Sequence, residues 1–194
     1  MSEKMSFIFN SAQGLLLAAN YLLDHMEDED IKRNPVKYSF ILTAAATLES
    51  ALNDSIVSWS HNTFPREDYK RHAQAFLAMS LRGKLDSIGF LVSSGKYVTD
   101  NTSADYQLLS ALIKLRNEVA HSKDFFTEVE VELAQDDDGS EGFLLPSEVA
   151  KKFENSPLIP SDEEYLKTYK ALERLYKVLN HDLSYEQSEL FKNV

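Results

Sequence analysis

Apolar and polar positions follow a helical spacing through most of the chain. Within residues 6–26, apolar side chains recur at intervals of three and four, which predicts a first helix. The same spacing continues through residues 35–61, and Pro35 suits the first turn of such a helix. The centre of this long second helix, residues 43–47, contains only small side chains. A neighbouring helix is therefore expected to approach it closely.

Three further helical patterns follow along the chain. The third covers residues 76–91, before a Ser-Ser-Gly sequence stops it. Ser103 can cap a fourth helix, which is predicted to end near Ser122. The last pattern begins at a capping box led by Ser161 and ends near Leu183.

The spacing changes from helical to alternating at residues 126–133, which predicts a β-strand with one solvent-facing side. A polar loop at residues 135–142 separates this strand from a short partner at residues 143–145. The prediction is an all-α fold, a bundle of about five helices with a small β-hairpin insertion before the last helix. We expect a single helical domain over residues 1–194, in which residues 124–160 are an insertion with the hairpin and an acidic loop.

Composition restricts the chemistry. The chain has no cysteine, which excludes disulfides, thiolate metal sites and cysteine nucleophiles. Its formal net charge of -11 would repel DNA and anionic membranes, so any RNA contact must be local. No apolar run approaches the roughly 18 residues that a membrane span needs. These features predict a cytoplasmic protein with neither a DNA partner nor a membrane partner.

The candidate chemistry lies in the last turns of the fourth helix, in the sequence R-N-E-V-A-H from Arg116 to His121. Spacing alone says little, because Arg66 with His72 and Arg174 with His181 have similar spacings. Helical position distinguishes the pair of Arg116 and His121 from the other two. A core stripe of four apolar residues lies on the side of the helix opposite the imidazole of His121. Those stripe residues are Leu108, Leu112, Leu115 and Val119.

The same helical wheel places Asn117 and His121 one turn apart, close enough to form a hydrogen bond. Between this pair and the core stripe lies an apolar shoulder that includes Leu109 and Ile113 beside Arg116. Because such a shoulder is unusual on a solvated face, we expect a second surface to cover it. The sequence therefore predicts a dimer interface at Leu109 and Ile113.

Arg116, Asn117 and His121 fit the pattern R-N-x-x-x-H, and in this respect the chain resembles the HEPN superfamily of small helical bundles. The earlier sequence A-A-T-L-E-S-A-L-N, which contains Glu49 and Asn53, is also similar in its position on a long preceding helix. The resemblance covers about residues 6–121 and the last helix. It implies the same bundle fold, with Glu49 and Asn53 as supporting residues of the site.

The resemblance also implies metal-independent endoribonuclease activity in toxin or antiviral systems, with an RNA substrate, an antitoxin partner and a cleft formed across a homodimer. His121 would transfer protons, Arg116 would hold the scissile phosphate, and Asn117 would orient the imidazole. Neither a cofactor nor a metal is expected, because RNA supplies its own 2′-hydroxyl nucleophile. Lys123 would add local positive charge, although it occupies the position where some family toxins carry a modifiable tyrosine.

Two alternatives compete with the nuclease hypothesis. The first is a non-catalytic helical module for dimerisation or for nucleotide or RNA binding, in which the same three polar residues stabilise an interface. The second uses Glu118 and His121 as the Glu-x-x-His pair of a diiron bundle. That site requires a second such pair, which the sequence lacks. The RNA target, the cognate partner and the role of the insertion are left open by the sequence.

Overall fold

Helices dominate the computed structural model, which describes residues 11–26, 35–120, 132–135, 141–144 and 162–194. Within these residues a short 3-10 helix, Tyr185–Gln187, follows the last α-helix. The predicted helical fold with a hairpin before the last helix is confirmed. The six described α-helices are α1 Ala12–Asp24, α2 Pro35–Thr63, α3 Tyr69–Leu77, α4 Leu81–Val92, α5 Ala104–Ala120 and α6 Asp162–Leu179.

The long helix α2 forms the centre of the core and packs against all five other described helices. Its small residues Ala44, Ala45 and Thr47 are buried, which gives neighbouring helices the close approach expected from the sequence. Each fully buried large apolar side chain contributes roughly 2 kcal/mol through removal of apolar surface from water. The largest such side chains on α2 are Phe40, Ile41, Leu48, Leu52 and Ile56.

The third helical pattern in the sequence is divided between α3 and α4. Ser80 has an extended backbone, with φ -59° and ψ 155°, which interrupts the helical path. Its hydroxyl oxygen accepts a hydrogen bond of 3.1 Å from the backbone N–H of Gly83, so that Ser80 caps α4. Apolar periodicity continues across this break because both helices bury one face against α2.

Helix α5 begins as predicted, since the Ser103 hydroxyl accepts a hydrogen bond of 3.2 Å from the Tyr106 N–H. Leu109 is fully buried and Ile113 is 8% exposed, and both belong to the core of the chain itself. The prediction that these two residues form a dimer interface is therefore wrong. The reason is that α5 packs against both α2 and α6, so its buried surface is wider than one stripe.

The hairpin before α6 consists of two antiparallel strands, Glu132–Gln135 and Glu141–Leu144, here β2 and β3. The first strand lies later than the alternating pattern indicated, and residues 126–131 are outside the described part of the chain. A strand that the sequence analysis did not predict, β1 at Tyr97–Thr99, pairs antiparallel with β4 at Phe191–Asn193. Three-residue strands are too short for an alternating pattern to reveal them.

The small sheet of β1 and β4 packs on α4 at a glycine. A β-carbon at Gly89 would lie 2.8 Å from Cδ1 of Phe191 and 3.0 Å from the backbone nitrogen of Thr99. The Thr99 hydroxyl also donates a hydrogen bond of 2.9 Å to the carbonyl oxygen of Leu85. This close approach attaches the end of the chain to the bundle. In the residues described, no helix combines the length and apolar character of a membrane span.

Candidate functional site

Arg116 lies in the last turns of α5, and its side chain is 36% exposed. Its Nη1 donates a hydrogen bond of 3.1 Å to Oδ1 of Asn117, the next residue along the helix. Its Nη2 lies 3.5 Å from Oε2 of Glu49 on α2. A guanidinium has five N–H donors, so these two contacts leave donors that can bind a further anion.

The contact between Arg116 and Glu49 joins two helices at the surface of the bundle. Both side chains are more than one third exposed, so water screens their attraction and the pair contributes no more than about 1 kcal/mol to stability. Its main effect is on geometry, because the carboxylate restricts where the guanidinium can lie. The structure therefore brings together Arg116, Asn117 and Glu49 out of the residues chosen from sequence.

Asn53 lies one helical turn after Glu49 on α2 and has a different partner. Its Oδ1 accepts a hydrogen bond of 2.9 Å from Nζ of Lys84 on α4. Lys84 is only 4% exposed, and burial of an ammonium group is costly unless hydrogen bonds compensate it. Asn53 thus satisfies a buried cation, and no described contact joins it to Arg116.

Lys84 was missed in the sequence analysis, although a signal was present. The residue lies on an apolar stripe of α4, where Leu81 is three positions before it and Ile88 four positions after it, and Leu85 follows it directly. A charged residue within such a stripe indicates a buried cation that needs a polar partner on a facing helix. Only the tertiary structure identifies that partner as Asn53.

The description of α5 ends at Ala120, so His121 and Lys123 lie outside the described residues. Their proposed roles remain predictions. Glu118 is the other residue of the diiron alternative. Its Oε1 lies 3.9 Å from Nζ of Lys114, one turn earlier on the same helix. Within the described ranges, no three residues among His, Asp and Glu are grouped so that they could hold a metal ion.

The other two Arg and His pairs have different environments. Arg66 is exposed before α3, and His72 stacks on Phe64 with ring centroids 3.9 Å apart. Arg174 donates through Nε to Oδ2 of Asp105 at 2.7 Å, which joins α6 to the first turn of α5. In each case the arginine and the histidine have separate surroundings.

No family model, no curated protein and no solved structure matches this chain.

Proposed function

We propose that this chain is a metal-independent endoribonuclease of the HEPN type that acts in toxin or antiviral defence. It cleaves RNA by attack of the 2′-hydroxyl of the RNA on the adjacent phosphate. One observation supports the proposal most directly. The guanidinium of Arg116 is oriented at the surface by Asn117 and by Glu49, a residue of another helix that was chosen from sequence as a supporting group. A phosphate oxygen could be bound there by the remaining N–H donors.

In the proposed reaction the 2′-oxygen loses its proton to an imidazole and attacks the adjacent phosphorus. The bond from phosphorus to the 5′-oxygen breaks, and the leaving oxygen takes up a proton. The products are a 2′,3′-cyclic phosphate and a 5′-hydroxyl. His121 transfers protons, since an imidazole titrates near neutral pH, and Arg116 stabilises the charge on the phosphate oxygens.

Asn117 uses its amide oxygen for Arg116, which leaves its Nδ2 as the end of the amide that can donate a further hydrogen bond, and the proposed acceptor is His121, four residues later in the sequence. The single Asn side chain would then orient both the guanidinium and the imidazole. A homodimer would bring two such sets into one cleft, enough for a separate acid and base. An antitoxin partner and a cytoplasmic location belong to the same proposal.

A second candidate function is a non-catalytic helical module that dimerises or binds a nucleotide or RNA. The observation in its favour is that Arg116 already has a carboxylate partner in Glu49, as a purely structural arginine would. In that case the site would bind phosphate without breaking a bond.

The test compares wild type with Arg116→Ala and His121→Ala on a mixed RNA substrate in EDTA, after light scattering has shown equal oligomeric states. His121→Ala removes the proton-transfer group and should reduce the cleavage rate by about 10²–10⁴-fold. Arg116→Ala removes the phosphate-binding group and should reduce the cleavage rate by about 10²–10³-fold. The matched controls are Arg66→Ala and His61→Ala, which remove the same side chains at exposed positions and should leave cleavage unchanged.

Cleavage by the wild type and both controls but not by the two site variants, with cyclic phosphate ends, would support the nuclease. Absence of cleavage by wild type at high protein concentration would reject it. RNA binding that persists in this second case and weakens in Arg116→Ala would favour the binding module. Glu49→Gln gives a graded test, since weaker orientation of the guanidinium should lower the rate by about tenfold.

A further inference from the structure

A cavity of about 350 Å³ lies where the C-terminal ends of three helices meet, away from Arg116. Asn62 and Thr63 line it at the end of α2, and Val92 does so at the end of α4. Asn180 and His181, directly after α6, complete this part of the wall. Its volume is within the range of small-molecule sites in proteins.

Two residues with an unusual backbone line this cavity. Ser94 has φ 55° and His181 has φ 63°, and among the described residues these are the only non-glycine residues with positive φ. Each follows the end of a helix. The turn at Ser94 is closed by a hydrogen bond of 2.8 Å from the Gly95 N–H to the carbonyl oxygen of Phe90, and the turn at His181 is closed by one of 2.8 Å from the Asp182 N–H to the carbonyl oxygen of Lys177. Glycine adopts this conformation without strain, so a side chain at both positions carries a conformational cost.

Conformational strain of this kind concentrates at ligand sites, where the side chain that causes it has a role. Glycine at Ser94 or His181 would close the same turns with less strain but would remove a hydroxyl or an imidazole from the cavity wall. The coincidence of both residues at one cavity is the first observation that marks it as a binding site.

The electrostatic character of the cavity is the second observation. The C-terminal end of a helix carries roughly half a negative charge, and three such ends converge here. Asp54 adds a carboxylate to the lining, while neither Lys nor Arg is among the described lining residues. Oδ2 of Asp54 is buried and has no hydrogen-bond partner within the described chain. The cavity therefore favours a positively charged occupant.

The polar groups of the wall indicate which kind of cation would fit. Hydroxyl and amide oxygens of Ser58, Asn62 and Ser94 can accept hydrogen bonds. A divalent metal carries two positive charges and takes several oxygen ligands, whereas Asp54 is the only acidic residue in the described lining. An ammonium group donates three hydrogen bonds and needs only one counter-charge.

We infer that this cavity binds a small aliphatic primary amine as its ammonium ion, with Asp54 as the counter-charge and the hydroxyl and amide oxygens around it as further acceptors. The inference does not depend on ribonuclease activity, since the lining shares no residue with the Arg116 site.

The test titrates butylamine hydrochloride into the full chain at pH 7 and follows backbone amide NMR shifts at Asn62, Ser94 and His181. Butanol is the uncharged isostere, and sodium chloride at equal ionic strength controls for screening. Binding should saturate with butylamine, should be absent with butanol, and should weaken at least tenfold in Asp54→Asn. Asp54→Glu, which retains the carboxylate, should recover most of the affinity.

Glu67→Gln provides the charge-matched control, because it removes an exposed carboxylate that does not line the cavity, and its affinity should equal that of wild type. Equal binding of butanol and butylamine would overturn the inference, as would an unchanged affinity in Asp54→Asn. Absence of saturable shifts at the three amides up to high millimolar butylamine would also overturn it.

Discussion

Arg174 and Asp105 form a two-point ion pair in which both guanidinium Nε and Nη2 donate to the carboxylate. Asp105 is only 2% exposed, whereas the side chain of Arg174 is 41% exposed. The pair joins α6 to the first turn of α5, where the carboxylate also interacts favourably with the positive end of the helix dipole. It therefore connects helices from the two sides of the predicted insertion.

Removal of the arginine alone should destabilise the fold, because the buried carboxylate of Asp105 would lose its counter-charge. We expect Arg174→Met to lower the free energy of unfolding by about 2–3 kcal/mol in urea denaturation. Lys177→Met is the control, since Lys177 pairs with Glu173 on the exposed surface of the same helix and should cost less than about 0.5 kcal/mol. An equal loss of unfolding free energy in the two variants would mean that the Arg174–Asp105 pair stabilises the fold no more than an exposed pair does.

The two glycines at positions 14 and 89 should respond in opposite ways to alanine. A β-carbon at Gly89 collides with Phe191 and Thr99, so Gly89→Ala should cost about 1–3 kcal/mol and loosen the β1–β4 sheet. No atom lies within 4 Å of a β-carbon at Gly14 on α1, so Gly14→Ala should raise stability by up to about 1 kcal/mol. Thermal melts of both variants check the signs, and a stabilising Gly89→Ala would contradict the packing.

The hydrogen bond between Lys84 and Asn53 lends itself to a double-mutant cycle. Asn53→Leu leaves the buried ammonium without this acceptor and should cost about 2 kcal/mol. Because removal of both polar partners avoids that penalty, the double variant Asn53→Leu with Lys84→Met should be within about 1 kcal/mol of wild type. Urea denaturation of the four proteins gives the coupling energy. Strict additivity would show that the two residues do not interact.

Asp54 should make stability depend on pH. Burial raises the pKa of Asp54 above its ordinary value, while the Ser50 hydroxyl opposes this change. The folded state therefore binds the proton more tightly than the unfolded state, so this contribution to stability is present at low pH and is lost as the pH rises through the raised pKa.

At pH 7 the ionised carboxylate of Asp54 therefore disfavours folding, and Asp54→Asn should melt at a higher temperature than wild type. The difference should shrink towards pH 4, where wild type also becomes protonated. Melting curves at the two pH values measure this, with Glu67→Gln as the exposed control that should show no such gain. A gain of equal size at both pH values would point to a cause other than ionisation.

Helical periodicity was sufficient to predict where the main helices lie, since the burial of one face imposes the same spacing on any sequence that forms a bundle. The Ser103 cap was also predictable, because its hydroxyl bonds only three residues along the chain. The break at Ser80 and the strands at Tyr97–Thr99 and Phe191–Asn193 were missed. The break and the two strands leave no periodic signal in the sequence, because Ser80 is a single capping residue and each strand has only three residues.

The candidate site was predictable only in part. Glu49 and Arg116 were both chosen from sequence, yet their contact depends on how α2 crosses α5. Leu109 and Ile113 were assigned to an interface because the wheel considers one helix at a time, whereas α6 covers a second side of α5. The pairing of Asn53 with Lys84 depends on a third helix.

The helical class and the approximate helix positions were predictable from the chain, as were the residues able to carry acid, base or phosphate chemistry, because these follow from local spacing and side-chain type. The packing of the helices sets which charges meet, which apolar face is internal and where three helix ends line a cavity. Those relationships join residues far apart in the chain, such as Asp105 with Arg174 and Ser94 with His181, and no local pattern encodes the distances between them.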